Sequence, residues 1–322
     1  MKAIYSRRQG GSSQLTVAEL LDEWMTNYVT LSLRKSTQLD YMTATEKRTK
    51  PLLGHIKLVK LMPRDIQRLL KVTSEKRLDG KSDAVSQKTV KNTFIIIKSA
   101  LEYARRSGYI DINPAAAVRP PKVPKYVSQA LTVEQVFTFL ALAKQTSKYY
   151  LFYLLALSTG LRRGELLALQ WQDINFSTGH LAINKALVRG KITITKSNTS
   201  NRVVGLPKDV LAELIEAKAK SHSDYIFVND RGSFYDASNI RKRDFKPLLK
   251  AAGLPESTRL HDLRHTHASL LLESGVDLKH ISEQLGHSGI GITMDLYTHI
   301  LNRDSTTEKL NKLFEENSRK TP

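Results

Sequence analysis

The chain has 322 residues, 41% of them hydrophobic and 25% charged, with no cysteine and a formal charge of +19 at pH 7. That length accommodates two compact domains, and the missing cysteine excludes disulfides and thiolate nucleophiles or metal ligands. No apolar run approaches the roughly 20 residues of a membrane helix, and no apolar stretch follows Lys2, Arg7 and Arg8 to make a signal peptide.

The charge is uneven. Residues 1–125 hold 24 Lys+Arg against 11 Asp+Glu, and the remainder holds 26 against 20. A polyanion is the natural partner of such a surplus. DNA or RNA fits better than a membrane surface, because no basic amphipathic helix with exposed aromatics stands out.

Thr16-Val-Ala-Glu19 is a capping box that opens a first helix, with Val17, Leu20, Leu21 and Trp24 on its apolar side. A second helix is predicted from Ser36 to about Thr49, capped by Ser36 or Thr37, and a third from Pro63 with Ile66, Leu69 and Leu70 inward. The fourth runs from about Ser86 to Ser107, where Val90, Phe94, Ile97, Leu101 and Ala104 recur at steps of three and four. Lys88, Lys91, Lys98, Arg105 and Arg106 lie elsewhere on that helix. Lys88, Lys91, Lys98 and Arg105 are candidate DNA contacts, although for any single one of them a solvated face is the simpler reading. Pro114, Pro120, Pro121 and Pro124 then mark a linker. The division expected is a helical domain over 1–120, a linker over 121–125 and a second domain over 126–322.

The second domain opens with a helix at Thr132-Val-Glu-Gln, followed by a buried helix over Tyr149–Ser158 that Gly160 breaks. Alternating residues rich in Ile, Val and Thr predict short strands at Leu181–Leu187, Lys191–Lys196 and Arg202–Leu206, with a tight turn at Arg189-Gly190. The rest reads as helix, including an amphipathic tail over Ser305–Phe314. The fold class is mainly α with a small β-sheet: an all-helical domain followed by an α+β one.

Four segments carry candidate chemistry. In Thr159-Gly-Leu-Arg-Arg-Gly-Glu165, Arg162 follows a glycine turn at a helix start, where free N–H groups suit an anion. His261-Asp-Leu-Arg-His-Thr-His267 puts His261 and Arg264 on one helix face. Leu285-Gly-His-Ser288 is a second turn presenting a histidine, and Met294-Asp-Leu-Tyr-Thr-His299 places Tyr297 ten residues after His287. Alone, each has an ordinary structural explanation. The spacing of His261, His265 and His267 invites a zinc reading. The glutamate of a His-Glu-x-x-His site is missing, and Arg264 would set a fixed positive charge beside the ion.

Together, in this order, the segments resemble the signature boxes of the tyrosine site-specific recombinases, the phage integrase family, and especially integrases of Gram-positive temperate phages and conjugative transposons. The basic helical first part resembles the family's core-binding domain. The resemblance implies Tyr297 as nucleophile, Arg162 and Arg264 as phosphate clamp, His261 as proton acceptor and His287 as a hydrogen-bond partner of the phosphate. A hairpin lysine would protonate the leaving 5′ oxygen; Lys196 matches best, with Lys185 and Lys191 as rivals. Glu165 would orient Arg162.

The same resemblance implies a 3′-phosphotyrosine intermediate and strand exchange through a four-way junction, with no metal, nucleotide or other cofactor. The partners would be double-stranded DNA core sites and a homo-tetramer exchanging C-terminal tails, with DNA-bending or excision factors as possible accessories and no membrane. The setting would be the bacterial cytoplasm, on the nucleoid, and the role integration and excision of a mobile element. Larger integrases of this kind carry a further N-terminal domain for arm-type sites; with about fifteen residues ahead of the first helix, that domain is expected to be lacking or removed. The competing readings are a type IB topoisomerase, a DNA-binding regulator without cleavage, and a zinc hydrolase.

Overall fold

The computed structural model describes residues 14–75, 85–124, 128–194, 201–287 and 289. Lys196, Tyr297 and the predicted tail helix lie outside the described residues. The chain divides into two units, Met1–Tyr126 and Val127–Pro322.

In the first unit, α1 (Val17–Trp24) starts at the Thr16 capping box, in which Thr16 and Glu19 bond each other's backbone N–H groups. Val17, Leu20, Leu21 and Trp24 are fully buried. The second helix, α2 (Lys35–Ala44), begins before Ser36, with Arg34 at its cap and no side-chain cap bond. It also outlasts Thr49: a π-helical turn (Thr45–Thr49) carries it into Lys50–Leu53. Pro51 accounts for the widened turn, because its ring and missing N–H cannot follow a regular turn. The same device recurs at Ile240–Phe245, ahead of Pro247. The unit is completed by α3 (Pro63–Glu75) and the long α4 (Gln87–Arg106), which bury every apolar residue that their periodicity marked. Each fully buried Leu, Ile or Phe contributes about 1.5–3 kcal/mol.

The second unit is built on α5 (Val133–Thr146) and α6 (Tyr150–Thr159), whose Phe139, Phe152 and Tyr153 form its core with Phe245. Short α7 (Arg163–Leu167) leads to the strands β1 (Ile174–Asn175), β2 (His180–Ile183), β3 (Lys185–Val188), β4 (Lys191–Ile194) and β5 (Arg202–Gly205). The expected strand Leu181–Leu187 divides at Asn184. Leu181 and Ile183 face the core in the antiparallel sheet β1-β2-β5, while β3 turns away to pair with β4. Arg189 (φ 50°) and Gly190 (φ 77°) close that hairpin with two left-handed residues, the turn that matches strand twist.

The longer helices that follow among the described residues are α8 (Lys208–Ala219), α9 (Lys246–Ala251), α10 (Asp262–Glu273) and α11 (Leu278–Leu285). Helix α10 packs along α6, α7 against β3, and α11 against both β5 and α10. Among the described residues, no helix is long and apolar enough to cross a membrane.

Candidate active site

The site begins at Gly160, which ends α6 in the left-handed region at φ 63°. A Cβ there would stand 2.5 Å from His267 Cδ2 and 2.7 Å from Leu285 Cδ2, so the turn requires glycine twice, for its backbone and for its space. Two residues on, Arg162 caps α7. Its backbone N–H donates to Glu165 Oε2 at 2.9 Å, and its Nη1 donates to Glu165 Oε1 at 2.9 Å. Glu165 is only 3% exposed. Burial works against its charge, but hydrogen bonds and ion pairs with Arg202 and then Arg162 outweigh it, so its pKa sits below the ordinary value.

Arg202, at the start of β5, completes the group. It donates from Nη2 to Glu165 Oε2 at 2.8 Å, from Nη1 to Glu165 Oε1 at 3.3 Å and from Nε to the Gln284 carbonyl at 2.6 Å. Arg264, on the first turn of α10 and 3% exposed, donates to the carbonyls of Gly160 at 2.8 Å and Leu285 at 2.7 Å. Arg162 Nη2 donates to the Gly286 carbonyl at 2.6 Å. Three arginines from separate segments thus take three consecutive carbonyls at the end of α11, where unpaired C=O groups attract cations. His287 follows directly, on a backbone turned by Gly286 at φ 65°.

His287 lies in this positive field. Burial, then Arg264, Arg162, His265 and Arg202, hold its pKa at about 4. His261, exposed at the head of α10, is also held at about 4, by desolvation first, then by His265, Arg264 and Arg162, with Asp262 opposing. Its ring meets that of His265 edge-on at 5.0 Å. His267 is structural: its Nδ1 bonds the Leu157 carbonyl at 2.8 Å and its Nε2 lies 3.0 Å from the Gln284 amide. That arrangement turns it inward, away from His261 and His265. Among the described residues, no group of three His, Cys, Asp or Glu side chains is placed to hold a metal.

The fold therefore gathers Arg162, Glu165, His261, Arg264 and His287 from three segments. Lys185 is instead tied up with Asp173 at 2.9 Å and with Gln170, while Lys191 stands exposed at the start of β4. Sequence reasoning passed over Arg202. Its signal was an arginine heading an apolar strand, Arg-Val-Val, where a charge needs a buried partner. In the first unit, Lys88, Lys91, Lys98 and Arg105 are exposed on α4. Lys91, Lys98 and Arg105 recur every seven residues and so share a face. Arg105 is paired with Glu102 at 2.8 Å, and Lys98 lies over the Phe94 ring.

Comparisons with known proteins place the chain in a family. Residues 129–303 match the family model of the phage integrase family, and residues 16–72 match that of the phage integrase N-terminal SAM-like domain. A tyrosine recombinase XerC-like protein of Caldanaerobacter subterraneus subsp. tengcongensis is 30% identical over 93% of this chain and 84% of its own length. The fold matches the Tn1549 transposon integrase in complex with transposon right end DNA, at a TM-score of 0.77 and 21% identity, over 93% of this chain and 99% of that one. It also matches a lambda integrase tetramer bound to a Holliday junction, at a TM-score of 0.69 and 22% identity, over 90% and 82% of the two chains. With two family models matched in chain order and a relative aligned over nearly the whole length, the chain belongs to the phage integrase family and is a tyrosine recombinase, an enzyme that breaks and rejoins DNA strands.

Proposed function

We propose that the chain recombines two DNA core sites through a phosphotyrosine formed at Tyr297, with Arg162 and Arg264 as the clamp on the scissile phosphate. The observation that carries this reading is the convergence of those two guanidiniums on the Leu285 and Gly286 carbonyls, immediately ahead of His287. A phosphodiester gains negative charge as it is attacked, and arginine offers paired donors that never lose their charge.

In this mechanism the Tyr297 oxygen bonds to phosphorus and the bond to the 5′ oxygen breaks. A free tyrosine has a pKa of about 10, so its proton needs an acceptor. His261 supplies one, because its lowered pKa keeps it neutral in the free protein. His287 hydrogen-bonds the phosphate, Glu165 holds Arg162 in place, and Lys196 protonates the departing 5′ oxygen. The new phosphotyrosine is an ester much like the one broken, so an incoming 5′ hydroxyl can reverse the step without a nucleotide.

The basic first unit grips the duplex beside the core site, with Lys88, Lys91, Lys98 and Arg105 as backbone contacts, and this makes affinity salt-sensitive. By likeness to the lambda integrase tetramer, four copies act together, with the 305–314 segment of each docked on a neighbour. The setting is integration and excision of a mobile element in a bacterial cytoplasm, with accessory DNA-bending or excision factors.

A nicked suicide duplex spanning the element's core site tests the reading. Wild type should give a covalent adduct on a denaturing gel and Tyr297→Phe none; an adduct that persists in Tyr297→Phe overturns the assignment. For the acid, a 5′-sulfur leaving group should restore cleavage to Lys196→Ala, because a thiolate departs without a proton. Failure of that rescue would move the role to another residue.

A further inference from the structure

We infer that Arg202 is a positioning residue of the recombination site: its guanidinium ties Glu165, and through it Arg162, to the end of the helix that presents His287. The inference rests on the roles proposed above.

The arrangement is graded from core to solvent. The Arg202 side chain is 8% exposed and that of Glu165 3%, whereas that of Arg162 is 39% exposed. The arginine nearest solvent is thus backed by a buried carboxylate, which is backed in turn by a buried arginine. Arg202 presents its whole fork: Nη1 and Nη2 on the two Glu165 oxygens, and Nε on the Gln284 carbonyl at 2.6 Å. Its backbone is fixed by pairing with Ile183 in the central sheet. It therefore touches three pieces at once, namely β5, the cap of α7 and the end of α11, beside the bond that Arg162 makes to the Gly286 carbonyl.

A purely structural ion pair does not need this geometry. Taking two charges out of water is costly, and an apolar pair of similar size often serves stability as well. What a buried Arg202 adds is a fixed orientation for Glu165, which must accept from the Arg162 side chain and backbone at once. A lysine would supply the charge without the planar fork. Arg202 also acts at a distance through its charge. It is the foremost influence lowering Glu165, with Arg162 as the other cation facing that carboxylate. It is one of the cations lowering His287, together with Arg264, Arg162 and His265.

The test uses the full chain as wild type, Arg202→Ala and Arg202→Lys, with single-turnover cleavage of the nicked suicide duplex, a gel-shift measurement of DNA affinity, and a pH profile. Arg202→Ala should cleave about 10- to 100-fold more slowly, the usual scale for a slight misplacement of reacting groups, while DNA affinity stays near wild type. The part of its acid limb that belongs to Glu165 and His287 should move to higher pH, because both lose a neighbouring positive charge and take up protons earlier. Arg202→Lys keeps the charge and loses the fork, so it should be slow with its acid limb unmoved.

Cleavage by Arg202→Ala at the wild-type rate overturns the inference, as does a slow enzyme whose acid limb stays in place. If Arg202→Ala does not fold, Arg202→Lys decides the matter, and a wild-type rate there overturns it. Absence of an adduct in wild type is a separate result: it sinks the underlying assignment of Tyr297 rather than the role of Arg202 alone.

Discussion

Replacing Gly160 by alanine attacks the site at the turn between α6 and Arg162. Two penalties follow from the geometry. Alanine at φ 63° pays about 1–2 kcal/mol for left-handed backbone. Its Cβ would also stand 2.5 Å from His267 Cδ2 and 2.7 Å from Leu285 Cδ2, inside van der Waals contact on both sides. Neither neighbour yields easily: His267 is pinned by bonds to Leu157 and Gln284, and Leu285 is buried between α10 and α11. Overpacking of this kind costs about 1–3 kcal/mol. The total is about 2–5 kcal/mol, a large part of a typical domain's stability.

Gly253→Ala is the matched control, at φ 67° with nothing within 4 Å of the added carbon, so it carries the backbone penalty alone. The assay is urea unfolding followed by tryptophan fluorescence. Trp24 lies in the first unit and Trp171 in the second, so a shared Trp24→Phe background isolates the second. The Gly160 variant should be less stable than the control by about 1–3 kcal/mol, the overpacking share. Equal destabilisation of the two would refute the claimed collision. Because the Gly160 carbonyl also accepts from Arg264, suicide-substrate cleavage should fall in this variant even under conditions where it remains folded.

Two further outcomes are expected. His267 is held neutral at about 4 against an ordinary 6.5, by burial first and then Arg264, with its bond to Leu157 opposing. Between those values the unfolded chain takes a proton that the folded one refuses. Stability of the second unit is therefore full above pH 6.5 and falls on acidification towards 4, by about 3 kcal/mol from this group. The slope should flatten in His267→Gln, and an unchanged slope in urea unfolding across that range would count against the assignment. Lys185, paired with Asp173, should prove structural: Lys185→Ala should lower stability modestly and leave cleavage measurable, with no gain from a sulfur leaving group. Sulfur rescue of Lys185→Ala would instead mark Lys185 as the acid.

The helices were readable because their apolar periodicity is strong, as in α4, or because a cap fixes the start, as at Thr16. Chain-specific details resisted. Pro51 signals a helix end in sequence, yet the π-turn absorbs it and the helix continues. Asn184 gives no local sign that it separates two sheets, since both of its sides are β-prone. The candidate site residues were assigned from the order of their boxes. What joins them was hidden, because a backbone carbonyl has no letter in the sequence. The three arginines meet through the carbonyls of Gln284, Leu285 and Gly286. Arg202 in particular lies 37 residues from the carboxylate that it supports.

That meeting point separates two duties by chemistry. Arginine holds its proton at any working pH, so the fixed positive charge resides in groups that cannot titrate away. His261 and His287, disfavoured as cations first by desolvation and then by neighbouring positive charge, are kept neutral in the free protein at about 4. A bound phosphodiester offsets part of that field, since its negative charge favours the imidazolium. On the proposed roles, the site becomes a better proton acceptor when substrate arrives, moving the histidines towards the range where general bases work best. Single-turnover rates across pH, taken at limiting and at saturating suicide duplex, read this directly. The limiting-DNA profile follows the free protein and should lose activity only near pH 4; the saturating profile follows the complex and should lose it at higher pH. His261→Gln should remove the acid limb that belongs to the base while leaving a slow residual reaction. Coincident limbs in the two regimes would mean that the phosphate does not face these histidines, and the proton from Tyr297 would need another acceptor.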